Sequence, residues 1–296
     1  MSSTDTAPEP PPIRSWLFVP GSRSERFAKA YASGADAVII DLEDAVAPDA
    51  KDSARDAVVS FMSAEGLQVG IPIYVRLNDI RSLNGIRDLL AICDAVRANP
   101  GAAVAGVMLP KVSCAEDVTL VAQIMDDANV PLRIGALLET VAGIERAATI
   151  AKASPRLRFV MFGGADMALD LRVPMEWEPL LAARTDVVRA AASAKIDALD
   201  MPWIDLEDKE GYVHEMERSF SLGFTSRAAI HPSQIAAIHA ALTPSAAETA
   251  GARDVMTAWE NGAGGVAMLN GKLIEKPLVA QAGRILSLAE RAAGKG

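Results

Sequence analysis

Short apolar runs recur along this chain, each ending in a polar or charged residue and each followed by a helical period. AVIIDLED closes on Asp41, Glu43 and Asp44, PIYVRLN on Arg76 and Asn78, GVMLPK on Lys111, RIGALLET on Glu139, and RFVMFGGAD on Asp166. Runs of this length, rich in branched residues, read as buried strands of a parallel sheet. SWLFVPG, IDALDMP and TSRAAIH bring the number to eight, the seventh weakened by two Asp and a Pro. Helical patterns follow over 24–32, 49–64, 84–98, 115–127, 141–153, 179–194, 206–222 and 233–242. Eight strand–helix pairs in about 230 residues predict an α/β chain of the (β/α)8 class, a closed barrel whose strand ends all open on one face. An open doubly wound sheet can be drawn from the same units. The count of eight and the lack of an early GxGxxG favour closure.

Beyond 242 the period changes. Residues 245–259 read as a helix opened by Thr243-Pro244, 262–273 as a hairpin turning at Asn270-Gly271, and 277–292 as an amphipathic helix. The expected organisation is a disordered, Pro-rich arm over 1–13, a barrel over 14–242 and a helix-hairpin-helix extension over 243–296. So small an extension cannot bury a core of its own. It is expected to pack on its own barrel or on a neighbour's, which points to an oligomer.

Composition narrows the function classes. Half of the 296 residues are hydrophobic and only 5% aromatic, which suits layered aliphatic strands and Ala-rich helices. A net charge of -9 argues against general nucleic-acid binding. No apolar run reaches the roughly 18 residues of a membrane span. The polar, acidic start MSSTDTAPEPPP lacks the basic and apolar regions of a secretory leader, so a cytoplasmic location is expected. Cys93 and Cys114 have no CxxC spacing and no nearby His, and read as reduced, small apolar residues.

Several strand ends carry candidate chemistry. Glu139 and Asp166 follow neighbouring strands, and two carboxylates at a barrel mouth suit Mg²⁺ or Mn²⁺; alternatively each is a helix cap or ion-pair partner. Gly163, Gly164 and Ala165 form a small-residue loop whose N–H groups can approach a substrate carboxylate. Arg76 can grip a carboxylate or a developing oxyanion, or pair with Asp41 or Glu43 on the adjacent strand. Asp41 and Glu43 point the same way and need a cation, an arginine or a proton between them. Arg23, Arg26 and Lys29, with Lys51 and Arg55, read either as a rim for nucleotide phosphates or as solvated helix faces. His231 reads equally as a site residue and as a turn residue before Pro232. Glu275, ahead of Pro277, reads first as a helix N-terminal charge.

WLFVPGSRSERFAKAYASGADAVIIDLEDAVAPDAKDSAR resembles the start of citrate lyase beta-subunit-like proteins. That group includes the malyl-CoA and citramalyl-CoA lyases of the HpcH/HpaI aldolase superfamily. YVRLN, VMLPKV, ALLETVAGIERAATIA, RFVMFGGADMALDL, AIHPSQI and GKLIEKPLVAQAGRIL continue the resemblance in family order over about residues 14–290. It implies a TIM barrel, usually trimeric or hexameric, that cleaves a 3-hydroxyacyl-CoA reversibly into an acyl-CoA and a 2-oxo acid. In that pattern Glu139 and Asp166 bind Mg²⁺, and Arg76 holds the carbonyl or enolate oxygen. Gly164 to Asp166 take the 2-oxo acid's carboxylate; from the residues themselves, Asp41 and Glu43 read either as support behind the site or as direct substrate contacts. Pro20, Arg23 and Arg26 lie near CoA. An acid of the tail, here Glu275, moves the proton at a neighbouring subunit's site. The pattern more often has Asp at that position, and Gly-Lys where Ser226-Arg227 stand. A CoA-independent aldolase and a citrate lyase subunit inactive without partners are the alternatives.

Overall fold

The computed structural model describes residues 12–63, 70–102, 104–262 and 267–294; the expectation for 1–11 of the arm lies outside them. Eight parallel strands close into a barrel in sequence order, with β8 returning to β1. They are β1 Ser15–Pro20, β2 Ala37–Asp41, β3 Ile73–Arg76, β4 Gly106–Leu109, β5 Arg133–Leu138, β6 Leu157–Phe162, β7 Asp197–Asp200 and β8 Ser226–Ala229. Helices α1 Phe27–Tyr31, α2 Lys51–Met62, α3 Leu83–Ala98, α4 Ala115–Asp127, α5 Val141–Glu145, α6 Ala147–Ile150, α7 Gly164–Leu171, α8 Trp177–Ala194, α9 Lys209–Leu222 and α10 Ile235–Leu242 alternate with them.

Alternation along each strand explains both the core and the site. Positions two apart share a face, so Trp16 and Phe18, Tyr74 and Arg76, Gly135 and Leu137, Phe159 and Met161 form rows up the barrel interior. The lower row is an aromatic plug. Trp16 meets Phe159 with ring centroids 4.5 Å apart and meets Tyr74 edge-on at 5.2 Å. Gly135 makes room for that plug, since a Cβ there would stand 2.1 Å from the Phe159 ring. The next row up is where the interior turns from packed to open.

Two helical expectations are corrected. The pattern over 141–153 is two short helices, because Arg146 leaves helical geometry (φ -110°, ψ 9°) and its guanidinium takes the Ala142 carbonyl at 3.1 Å. The loop expected at Gly163 to Asp166 is the start of a helix. Gly163 is the extended N-cap and α7 runs on until Arg172 adopts a left-handed φ of 60°.

Ser15–Ile235 form one compact unit, and Ala236 onward with Arg14 form a second. In the second, α11 Ala246–Asn261 opens with a reciprocal cap between Ser245 and Glu248. Strands β9 Ala267–Leu269 and β10 Lys272–Ile274 pair antiparallel through Asn270 (φ 50°) and Gly271 (φ 74°), the two left-handed residues of a type I′ turn. Helix α12 Lys276–Ala292 ends the chain's described part, and Ala252, Ala267, Ile274 and Ala282 are buried. Among the described residues no helix is long and apolar enough to cross a membrane.

Candidate active site

Above the aromatic plug lies a cavity of about 430 Å³, walled by Phe18, Pro20, Asp41, Arg76, Leu137, Glu139, Met161 and the Gly163 to Asp166 turn. The far wall is apolar, made by Met175, Met201, Pro202, Ile204 and Ile230. Every lining residue belongs to the barrel unit and stands at or beyond the upper half of a strand.

The polar floor begins with a cross-strand pair. Asp41 and Arg76 lie opposite each other in the β2–β3 register. Arg76 donates Nε to Asp41 Oδ1 at 2.7 Å and Nη2 to Oδ2 at 2.6 Å, the two-pronged geometry that fixes a guanidinium plane. Its Nη1 reaches Glu43 Oε2 at 2.9 Å. Asp41 is held in turn by the backbone N–H groups of Glu43 (2.8 Å) and Ala45 (3.1 Å), and its carbonyl accepts from Gly21 at 2.7 Å. A Cβ on Gly21 would sit 2.8 Å from that carbonyl oxygen. Burial alone would lower the Arg76 pKa, but the hydrogen bonds and charges of Asp41 and Glu43 outweigh it and hold the guanidinium firmly charged. Both readings of Arg76 are therefore compatible: the ion pair exists, and it aims an arginine that still lines the cavity.

Lys111 closes the fourth apolar run, but the strand pattern gives it no role. It follows Pro110 after β4 and adopts a left-handed φ of 52°. Its backbone N–H donates to Glu139 Oε1 at 2.8 Å. Its ammonium pairs with Glu43 and faces Asp166 Oδ2 at 3.5 Å and Asp44 Oδ1 at 3.7 Å. No turn dipeptide in LPKV announces a left-handed lysine, so no local signal marks its backbone.

Glu139 is 4% exposed. Its pKa is pushed up to about 8, first by burial and then by the negative charges of Glu43 and Asp166, against the Lys111 N–H bond. Gly163 lets it stand there, since a Cβ at 163 would lie 2.5 Å from Glu139 Cβ and 2.8 Å from Oε2. Asp166 sits in the first turn of α7. Its Oδ2 is buried and accepts no hydrogen bond among the described residues. Glu43 also rises, burial outweighing the Arg76 charge. Five acidic groups, Asp41, Glu43, Asp44, Glu139 and Asp166, thus face Arg76 and Lys111, and the deficit of positive charge centres on Glu139 and Asp166. The first N–H groups of α7 have no intrahelical acceptor, so Gly164 and Ala165 present an anion-attracting helix start at the cavity wall.

The remaining predicted residues separate. Pro20 lines the cavity, whereas Arg23 and Arg26 are exposed, Arg23 pairing with Glu25 at 2.9 Å. The phosphate-rim reading of Lys51 and Arg55 is corrected. Lys51 donates to the Leu42 and Glu43 carbonyls at 2.7 and 2.6 Å, and Arg55 pairs with Asp88 and Asp52, each at 2.6 Å. Lys51 thereby ties down the turn that carries Glu43. His231 caps a short helical turn, its Nδ1 meeting Ser233 Oγ at 2.8 Å. Arg227 does not reach the cavity: it is fully buried on the outer side of β8 against Asp200 and Glu215. Glu275 belongs to the second unit, exposed as the N-cap residue of α12. Cys93 is buried and Cys114 caps α4; both are free thiols.

Residues 14–232 match the family model described as HpcH/HpaI aldolase/citrate lyase, and 182–292 match a C-C bond lyase of the TIM-barrel fold. Citrate lyase subunit beta of Escherichia coli is 36% identical over 295 residues, 94% of this chain and 93% of that protein. L-malyl-CoA/beta-methylmalyl-CoA lyase of Cereibacter sphaeroides is 31% identical over 314 residues, 96% of this chain and 97% of that one. The crystal structure of CitE from Mycobacterium tuberculosis in complex with magnesium, acetoacetate and coenzyme A superposes with a TM-score of 0.75 at 33% identity, covering 94% of this chain and 98% of that one.

Proposed function

The chain belongs to the HpcH/HpaI aldolase/citrate lyase family of carbon–carbon lyases, and from that membership we propose that it cleaves a 3-hydroxyacyl-CoA reversibly into an acyl-CoA and a 2-oxo acid with the help of Mg²⁺. The observation that carries the reading is the pair Glu139 and Asp166. One is a carboxyl raised to about 8, first by burial and then by its acidic neighbours; the other has a buried oxygen that accepts no hydrogen bond among the described residues. A divalent cation answers both. No group of three or more His, Cys, Asp or Glu among the described residues is placed to hold a metal. This donor set suits Mg²⁺ or Mn²⁺, which take one or two carboxylates and leave positions for water and substrate oxygens. The magnesium in the CitE complex supports the same choice.

When bound, the ion supplies Lewis-acid polarisation of the 2-oxo acid's carbonyl. The protein supplies the rest. The helix start at Gly164 and Ala165 holds the 2-oxo acid's carboxylate. In the cleavage direction a base takes the hydroxyl proton. The bond between the hydroxyl-bearing carbon and the thioester's α-carbon then breaks, leaving its electrons as an enolate. Arg76, clamped by Asp41 and Glu43, stabilises the enolate oxygen with its remaining N–H groups. Protonation of the α-carbon releases the acyl-CoA. From the family resemblance we assign the proton transfer to Glu275 of a neighbouring subunit's tail, and the exposed Arg23 and Arg26 with Pro20 to the CoA side.

The test is a cleavage assay of the purified chain with Mg²⁺ on malyl-CoA, citramalyl-CoA and citryl-CoA, with and without EDTA. EDTA-sensitive release of a 2-oxo acid and an acyl-CoA is expected, and it names the substrate branch. No cleavage of any of them shifts the reading to a partner-dependent subunit or a CoA-independent aldolase. Glu275→Gln is expected to lower kcat by about 10²–10⁴-fold while leaving metal affinity alone. An unchanged kcat returns Glu275 to a plain helix-start charge.

A further inference from the structure

The carboxylates that suit a divalent cation already touch a cation of the chain itself. Lys111 meets them from both ends. Its backbone N–H fixes Glu139 Oε1 at 2.8 Å, and its ammonium faces Asp166 Oδ2 at 3.5 Å while pairing with Glu43. The two contacts point in different directions from one residue, and the left-handed backbone (φ 52°) is what allows both. We infer that Lys111 is a positioning residue with two separable parts: its peptide N–H aims Glu139, and its ammonium stands in for the metal between Glu43 and Asp166 and competes with it, setting the affinity of the site.

The inference rests on the metal reading of Glu139 and Asp166. The physical argument is charge. A half-buried ammonium within 3.5 Å of Asp166 opposes a second cation at the same carboxylate. It keeps partners when a metal takes Asp166, because it already pairs with Glu43 and lies 3.7 Å from Asp44 Oδ1. In the metal-free protein the ammonium keeps the acidic groups from repelling one another apart, so the site is preformed. The balance is a site that is assembled before metal arrives yet does not hold metal irreversibly.

The experiment is a calorimetric titration of the purified full chain with MnCl₂ and with MgCl₂, without substrate, for the wild type and for Lys111→Gly, Lys111→Met and Lys111→Arg. Lys111→Gly deletes the ammonium but keeps the N–H and adopts the left-handed turn freely. Lys111→Gly and Lys111→Met are expected to bind Mn²⁺ roughly tenfold more tightly, and Lys111→Arg to stay near the wild type. Unchanged or weaker binding by a folded Lys111→Gly, with the wild type binding normally, overturns the placeholder role and leaves the metal reading standing. No binding by the wild type overturns the metal reading, and this inference with it. If both uncharged variants fail to fold while Lys111→Arg folds, the ammonium is structural and the inference falls.

Discussion

The barrel uses the same cross-strand pair twice, and the two copies do different work. Asp41 lies opposite Arg76 across β2 and β3, and Asp200 lies opposite Arg227 across β7 and β8. The first pair faces the barrel interior, the second the surrounding helices. Around Asp200 the charges balance. Arg184 from α8 and Arg227 face Asp200 and Glu215, at 3.3 to 3.4 Å from Asp200, with Arg227 2.7 Å from Glu215. Aromatic rings cover the guanidinium faces: Trp177 and Phe162 lie 4.5 and 5.0 Å from Arg184, and Tyr212 lies 5.5 Å from Arg227. Around Asp41 the charges do not balance among the described residues, because Glu43, Asp44, Glu139 and Asp166 join in against Lys111 and the more distant Lys51. Burial is therefore not what marks the site, since the balanced cluster is the more deeply buried. Uncompensated charge beside a cavity marks it.

The largest expected difference follows directly. Glu139→Ala should abolish turnover and metal binding together, a loss beyond about 10³-fold, while the fold persists because keeping this carboxyl buried among acidic neighbours costs stability at neutral pH. Cleavage assays and a metal titration on one preparation check it. Normal turnover would sink the metal assignment. The matching change in the balanced cluster, Asp200→Asn, should do the reverse. Removing one partner of a buried ion pair costs about 3–5 kcal/mol of stability, read as a lowered midpoint in urea, with metal affinity unchanged in the protein that remains folded. A change in metal affinity without loss of stability would mean that the two clusters are not separate.

How much of this contrast was legible in the sequence depends on register. Asp41, Arg76, Glu139 and Asp166 could be read because each ends a clean apolar run, and closure of eight parallel strands brings such ends together. The contact between Asp41 and Arg76 was foreseeable from period-two spacing on adjacent strands. Asp200 and Arg227 lie in the two least apolar runs, where parity is hard to assign. There Arg227 read as a departure from a family pattern rather than as half of a neutral pair. Lys111 also ends an apolar run, but its place between Glu43, Glu139 and Asp166 is not legible there. Its role depends on a positive φ, and among ordinary residues only Gly and Asn advertise one. The α7 start was read as a loop because Gly163 and Gly164 are poor helix formers. Their place follows from close packing instead: a Cβ at Gly164 would stand 2.1 Å from Met201 Sδ.

A smaller effect tests how finely the unbalanced cluster is built. Gly163→Ala puts a methyl 2.5 Å from Glu139 Cβ, with Leu137 Cδ1 3.1 Å away on another side. Glu139 must then shift while both carboxyl groups remain present. Turnover is expected to fall by about 10²-fold, as for a misplacement on the order of 1 Å, with weaker metal binding and a modest loss of stability. Wild-type kinetics would show that the turn can relax and that Glu139 tolerates displacement.

The smallest expected effect is on pH. Glu139 rises from 4.5 to about 8, first through burial and then through Glu43 and Asp166. The metal-free folded protein therefore keeps this proton across a range where the unfolded chain has released it. Its contribution to stability is full below about 4.5 and is lost as pH rises through about 8. Metal binding runs the other way. The cation needs the ionised carboxylate, so below about 8 each binding event expels a proton, and Mg²⁺ affinity should climb up to about tenfold per pH unit before levelling. Thermal midpoints of the metal-free wild type and Glu139→Gln from about pH 6 to about pH 9 check the first slope, which the variant should lack. Mg²⁺ titrations of the wild type over the same range check the second. A flat affinity profile would mean that Lys111 and Arg76 already ionise Glu139, so that the uncompensated charge sits on Asp166 alone.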